Sequence, residues 1–131
     1  MKANFSPMNK ILIDSHILLW IFENPEKLRA NDIQLLKDSE TNVFISIASL
    51  WELHIKTRQG KLELPNDFFE EIEQNLISIL PIRKEHLKAL LNLPHFHKDP
   101  FDRLIISQAI ADNIPIITHD QVFSEYHVQL L

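Results

Sequence analysis

The chain has 131 residues, 45% of them hydrophobic, which suits one domain built on a single buried core. Its formal charge is −5 and it holds no cysteine, so a generic basic nucleic-acid sleeve, a disulfide framework and a thiolate metal site are all excluded. The first eight residues carry no apolar signal region and no apolar run approaches the ~18 residues of a membrane span, so the expectation is a cytoplasmic protein, neither secreted nor membrane-embedded.

After a polar tail over residues 1–9, Lys10-Ile11-Leu12-Ile13-Asp14 reads as a short buried strand that ends in an acid. Ser15 begins an amphipathic helix to about residue 24, stopped by Pro25, and a second helix runs over residues 30–39. Val43-Phe44-Ile45-Ser46 is β-branched and aromatic, hence a strand. Ser46 caps the helix that follows over residues 47–59, which the only glycine, Gly60, ends. Pro65-Asn66-Asp67 opens a further helix, followed by a strand over residues 78–82 and a helix over residues 84–91. Residues 94–98 form a loop. Asp99-Pro100 starts a helix to about Ala111, because aspartate suits the cap and proline the first helical position. An apolar strand over residues 114–118, a short helix over 121–126 and a last strand over 128–131 complete the chain. Strands alternating with helices, with no repeat or linker, predict one α/β domain over residues 10–131 with a mainly parallel sheet. In such sheets ligands bind beyond the carboxyl ends of the strands.

Four acids stand where this layout can bring them together. Asp14 follows the first strand and Asp120 follows the strand ending at Thr118, so in a parallel sheet both carboxylates point into one crevice. Either could equally serve the backbone: Asp14 as a helix cap, and Thr118 with Gln121 as a capping box. Glu52 has Ala48 and Ile55 on its helical face, which favours a pocket; the alternative is an exposed Glu52–Lys56 pair contributing about 0.2–0.5 kcal/mol. Asp102 shares a stripe with Ile106 and Ala109, while Phe101, Leu104, Ile105 and Ile110 cover most of the remaining surface. Such a helix is buried nearly all round, and its acid faces a polar cavity or a cation unless it only complements the helix dipole. Clustered carboxylates destabilise a fold unless a cation neutralises them, and hard oxygen ligands select Mg²⁺ or Mn²⁺. His95 and His97 lack the helical i, i+4 geometry of a zinc site, so their expected role is hydrogen bonding within the loop.

Four motifs then carry a resemblance. They are Asp14-Ser15-His16-Ile17-Leu18-Leu19-Trp20; Ser46-Ile47-Ala48-Ser49-Leu50-Trp51-Glu52 with Lys56 and Gly60-Lys61-Leu62; His97-Lys98-Asp99-Pro100-Phe101-Asp102-Arg103-Leu104; and Thr118-His119-Asp120. In this order and spacing the chain, over nearly all of residues 10–131, resembles a PIN-domain ribonuclease of the VapC toxin type from bacterial toxin-antitoxin modules. The resemblance implies a three-layer α/β/α sandwich and a metal-dependent endoribonuclease. It implies an acidic quartet of Asp14, Glu52, Asp102 and Asp120, with Asp99 as a candidate fifth metal ligand. One or two Mg²⁺ or Mn²⁺ ions on Asp14, Asp102 and Asp120 would lower the pKa of a water that attacks an RNA phosphodiester in line, while Glu52 binds metal or orients that water.

Ser15, Thr118 and Lys56 are candidate substrate contacts; Ser15 stands where the family usually has threonine and keeps the hydroxyl. Arg58 and Lys61 join Lys56 as candidate phosphate contacts, unless all three merely complement a solvated helix end. The implied partners are RNA, a cognate antitoxin of the VapB or Phd/YefM kind that occludes the site, and a second copy in a homodimer. Leu35, Leu36, Leu90, Leu91 and Leu93, more than one small core needs, fit the homodimer. Receiver domains and haloacid-type phosphatases fit worse: the first strand offers no adjacent acid pair, no lysine follows the late strand, and His16 stands where a phosphatase needs a second aspartate. The alternative of another class is a catalytically silent module that binds a partner protein through the same cleft.

Overall fold

Alternation along the first two strands sets the layers. In β1 (Lys10–Ile13), Ile11 and Ile13 face one core and Leu12 the other; in β2 (Asn42–Ser46), Val43 and Ile45 face the first core and Phe44 the second. A strand buried on both faces reads as continuous apolar sequence and belongs in a parallel sheet covered by helices. The computed structural model describes residues 9–131, so all but the last residue of the expected tail lies outside the described residues. Within them the sheet has four strands in the order β3-β2-β1-β4, all parallel, completed by β3 (Ile77–Leu80) and β4 (Ile116–Ile117).

Six helices flank the sheet among the described residues. The first core takes side chains from α1 (Ser15–Glu23), α2 (Ala30–Lys37), α3 (Ile47–Arg58) and α4 (Phe68–Gln74). The second takes Leu90 of α5 (Lys84–Leu91) and Ile105, Ile106 and Ala109 of α6 (Pro100–Asp112), together with Phe123 and Tyr126. The expected three-layer α/β/α sandwich with a parallel sheet is therefore the fold. Register decides where the strand ends meet: Ile13 pairs with Ile45 on one side and with Ile117 on the other. The next residues, Asp14, Ser46 and Thr118, consequently emerge side by side at the carboxyl edge.

Several boundaries differ from expectation for local reasons. The strand expected over residues 114–118 shrinks to two residues, because Asn113 in left-handed conformation (φ 54°) turns the chain out of α6 and Ile114 N–H still bonds Ala109 O. Residues 128–131 form a single parallel bridge, Leu130 to Ile116, instead of a strand. The helix expected from Pro65 starts at Phe68, and the strand expected over 78–82 ends at Leu80, before Pro81. The short helix over residues 121–126 is a 3-10 turn at Gln121–Glu125. Gly60 does close α3, at φ 74° with its N–H on Thr57 O. Of the five leucines expected to be surplus, four are packed into the two cores and only Leu91 is exposed. Ile110 is also exposed, and the buried face of α6 is partly polar, with Arg103, Ser107 and Gln108.

The two helices of the second layer are clasped by charge. Buried His86 of α5 accepts Arg83 N–H at Nδ1 (2.9 Å) and directs Nε2 at Asp112 Oδ2 (3.0 Å), while the Arg83 guanidinium reaches Asp112 Oδ1 (2.6 Å). Burial pushes the Asp112 carboxyl up, but Arg83 and His86 outweigh it and hold the group below its ordinary value. Asp112→Ala strands the buried imidazole and should destabilise the fold by about 1–3 kcal/mol in urea unfolding. A loss below the error of the measurement would show that this clasp does not hold α5 to α6.

Candidate active site

Asp14 is both a cap and a cleft residue, so its two expected roles coexist. The side chain is buried, with 4% of the residue exposed; Oδ1 accepts Ile17 N–H (2.9 Å) at the start of α1 and Oδ2 accepts the Thr118 hydroxyl. Burial pushes its carboxyl above the ordinary value of 3.8, against the pull of the Thr118 and Ile17 hydrogen bonds. Thr118 Oγ1 also accepts Asp120 N–H (3.1 Å), and Asp120 caps the 3-10 turn through Val122 N–H (3.0 Å). Thr118, expected at the substrate, is thus buried with its hydroxyl turned onto an acid.

The helices deliver the other two acids. Glu52 of α3 is only 6% exposed, and its Oε1 accepts the hydroxyl of buried Ser15 (3.2 Å). Ser15 therefore serves a carboxylate, as the Thr118 hydroxyl does. The Glu52–Lys56 pair expected of an exposed helix face does form (3.4 Å), but on a buried carboxylate. In α6, Asp99 is the cap, with Oδ1 on the N–H groups of Phe101 (2.8 Å) and Asp102 (3.1 Å). Asp102 is pushed up to about 7, first by burial and then by the charges of Asp99, Glu52 and Asp14, with His97 opposing. That one group registers the convergence of the predicted acids near it.

His97 is the residue that sequence reasoning underrated. Besides the expected loop bond, Asp99 N–H to Nδ1 (3.1 Å), its Nε2 lies 3.1 Å from Asp102 Oδ2 and 2.8 Å from Asp120 Oδ2. The signal available was its position two residues before a helix cap, from which a side chain can fold back over the first turn. A second histidine was also missed: His119 Nε2 lies 3.2 Å from Asp32, a fully buried acid of α2 held by the Arg29 guanidinium. Together Asp14, His16, Trp20, Asp102, His119 and Asp120 line a cavity of about 310 Å³.

The donor set suits a hard cation. Asp102, Asp120 and His97 offer atoms within 4.8 Å of one another, with Asp14 and Glu52 close enough to raise the pKa of Asp102. Among the described residues, Lys56 is the only lysine or arginine paired with the four acids. The cluster keeps a surplus of negative charge that a divalent ion would neutralise.

The sequence profile described as the PIN domain matches residues 11–128. No curated protein matches the chain in sequence. Among solved structures, the fold is similar to VapBC2 from Rickettsia felis bound to a DNA fragment from its promoter, with 18% identity, TM-score 0.67, and coverage of 93% of this chain and 97% of that one. It is similar to VapBC-1 from nontypeable Haemophilus influenzae, at 18% identity and TM-score 0.64, over 93% and 96% of the two chains. FitAcB from Neisseria gonorrhoeae matches at 19% identity and TM-score 0.60, over 92% and 96%.

Asp102 makes stability depend on pH. With its native pKa about 7 and an ordinary value of 3.8, the folded protein keeps a proton that the unfolded chain has lost. The stability this adds is complete below about pH 4, falls as pH rises toward about pH 7 and is gone above it. The metal-free protein should therefore melt lower at neutral than at mildly acidic pH. Asp102→Asn should remove most of that slope and melt above the wild type in alkaline buffer, with Asp14 supplying the remainder. Asp99→Asn, which keeps a good cap, should leave stability nearly unchanged. A wild-type slope in Asp102→Asn would assign the retained proton to another group.

Proposed function

Because the chain belongs to the PIN-domain family, we propose that it is a divalent-metal-dependent endoribonuclease and the toxin of a toxin-antitoxin pair. The observation that carries this reading is the convergence of the acids on one cleft: Asp102 and Asp120 offer ligand atoms within 4.8 Å of one another, with Glu52 and Asp14 beside Asp102. Asp14, Asp102 and Asp120 would hold Mg²⁺ or Mn²⁺, with Asp99 serving α6 as its cap. Bound there, the cation supplies the positive charge that an acidic protein needs to attract a phosphodiester, and it lowers the pKa of an attacking water. Glu52, with one oxygen on Ser15 and the other toward Lys56, is fixed in orientation and suited to accept a proton from that water. Lys56, with its side chain 37% exposed, keeps its ammonium beside the acid for contact with a phosphate. A silent docking module would need Asp14 and Asp120 only as caps, whereas Glu52 and Asp102 cap nothing among the described residues.

The toxin role draws on the fold similarity to the VapBC and FitAcB structures. The partner in this reading is a cognate antitoxin, VapB-like or Phd/YefM-like, that occludes the cleft. Purified protein freed of antitoxin should cleave structured RNA with Mg²⁺ or Mn²⁺ and stop with EDTA, and Asp14→Asn or Asp102→Asn should lose activity by more than the about 10–100-fold typical of an outer-shell partner. Expression should arrest growth, and Asp14→Asn should relieve the arrest. Cleavage undiminished by EDTA would sink the metal mechanism, and arrest by an equally abundant Asp14→Asn protein would sink the toxin reading.

The same reading includes a homodimer, for which exposed Leu91 and Leu87 on α5 provide apolar surface. Light scattering at micromolar concentration should give twice the chain mass, a value that a lasting monomer would contradict.

A further inference from the structure

We infer that His97 is a positioning residue of the cation site, donating its Nε2–H to Asp120 so as to hold that carboxylate beside Asp102, and that it is not itself a metal ligand. The inference rests on the reading of this cleft as a metal site. It begins from the ring's other nitrogen. Nδ1 accepts the backbone N–H of Asp99 (3.1 Å), so it carries no proton, and the proton of the neutral imidazole lies on Nε2. A protonated nitrogen has no lone pair for a metal, although the distances alone would admit His97 as a third ligand. What remains for Nε2–H is donation: it hydrogen-bonds Asp120 Oδ2 at 2.8 Å, and Asp102 Oδ2 lies beside the same nitrogen at 3.1 Å.

Those carboxylates come from different elements, the first turn of α6 and the segment after β4, and like charges drive them apart. Asp120 Oδ1 accepts Val122 N–H and Oδ2 accepts His97 Nε2–H, which leaves each oxygen one lone pair for a cation and fixes the carboxylate's orientation. The ring, in turn, is firmly held. His97 N–H (2.7 Å) and Phe96 N–H (2.9 Å) both donate to Tyr126 Oη, whose hydroxyl donates to Pro94 O (2.8 Å). The Arg103 guanidinium also reaches Pro94 O (2.8 Å), and Phe123 packs edge-on against the imidazole (5.7 Å). A loop without regular structure thereby presents a fixed N–H between two acids. Outer-shell donors of this kind orient the ligands and set metal affinity.

The test is Mn²⁺ binding to the full chain, followed by calorimetry and pulsed electron paramagnetic resonance, with melting temperature as the check on folding. His97→Ala should bind Mn²⁺ about 10–100-fold more weakly than the wild type. His97→Gln, which keeps a side-chain N–H to donate to Asp120 Oδ2, should recover most of that loss. Mn²⁺ on the wild type should show no directly coordinated nitrogen, and the ratio of Mn²⁺ to Mg²⁺ affinity should be the same in wild type and His97→Ala, because a nitrogen ligand would favour Mn²⁺. Unchanged affinity in His97→Ala, a glutamine variant no better than alanine, or a coordinated nitrogen in the wild type would each overturn the inference. Wild-type protein that binds no Mn²⁺ would remove the metal site itself, and the inference with it.

Discussion

Mutual repulsion of carboxylates at one edge of a parallel sheet is the constraint that the rest of this molecule accommodates. Asp99, Glu52 and Asp14 stand close enough to add to the effect of burial on Asp102, which is driven to about 7. The fold answers with hydrogen bonds already needed for other purposes. Asp14, Asp99 and Asp120 each cap a helix or turn, a role worth about 1 kcal/mol apiece. Thr118 and Ser15 direct their hydroxyls to Asp14 and Glu52. Capping and clustering are therefore one arrangement: a strand that ends where a helix begins puts an acid at the helix N-terminus and at the sheet edge together.

This coincidence explains how much of the site could be read from the sequence. Ile11-Leu12-Ile13-Asp14 and Ile116-Ile117-Thr118 declare buried strands and the acids beyond them, and parallel register does the rest, since Ile13 and Ile117 pair directly. Glu52 was legible because Ala48 and Ile55 share its helical face, which favours a pocket over a solvated surface. The weakest expectations were those that depended on contacts far apart in the chain. Residues 128–131 look like a strand by composition but reach only Ile116 as a bridge, because β4 is two residues long. Ile110 looked like core and is exposed, whereas Arg103 is buried because Leu93 O and Pro94 O need its guanidinium. Local pattern records polarity and period; it does not record which carbonyl a distant arginine must satisfy.

The histidines make the same point in charge. His97, His119 and His86 each face a carboxylate more than twenty residues away in the chain: Asp120, Asp32 and Asp112. Nothing in the spacing of any one histidine announces its acid, and a search for paired metal ligands passes over a histidine that donates. Two of the three pairings border the cleft, while that of His86 clasps α5 to α6 within the second layer. The acids that keep an imidazole partner alone differ in kind from the quartet, whose members crowd one another. It is crowding, not exposure, that separates a candidate metal site from an ordinary acid on this surface.

Precision at the cleft then depends on the core behind it. The second hydrophobic cluster seats Leu93, Phe123 and Tyr126 against α6, and from that layer Tyr126 and Arg103 tie down residues 93–97. Disturbing Tyr126 would therefore be felt at Asp102 and Asp120, because His97 would lose the backbone bonds that aim it. Apolar burial supplies the rigidity, the tyrosine hydroxyl converts it into loop geometry, and the imidazole delivers that geometry to two charges that would otherwise separate.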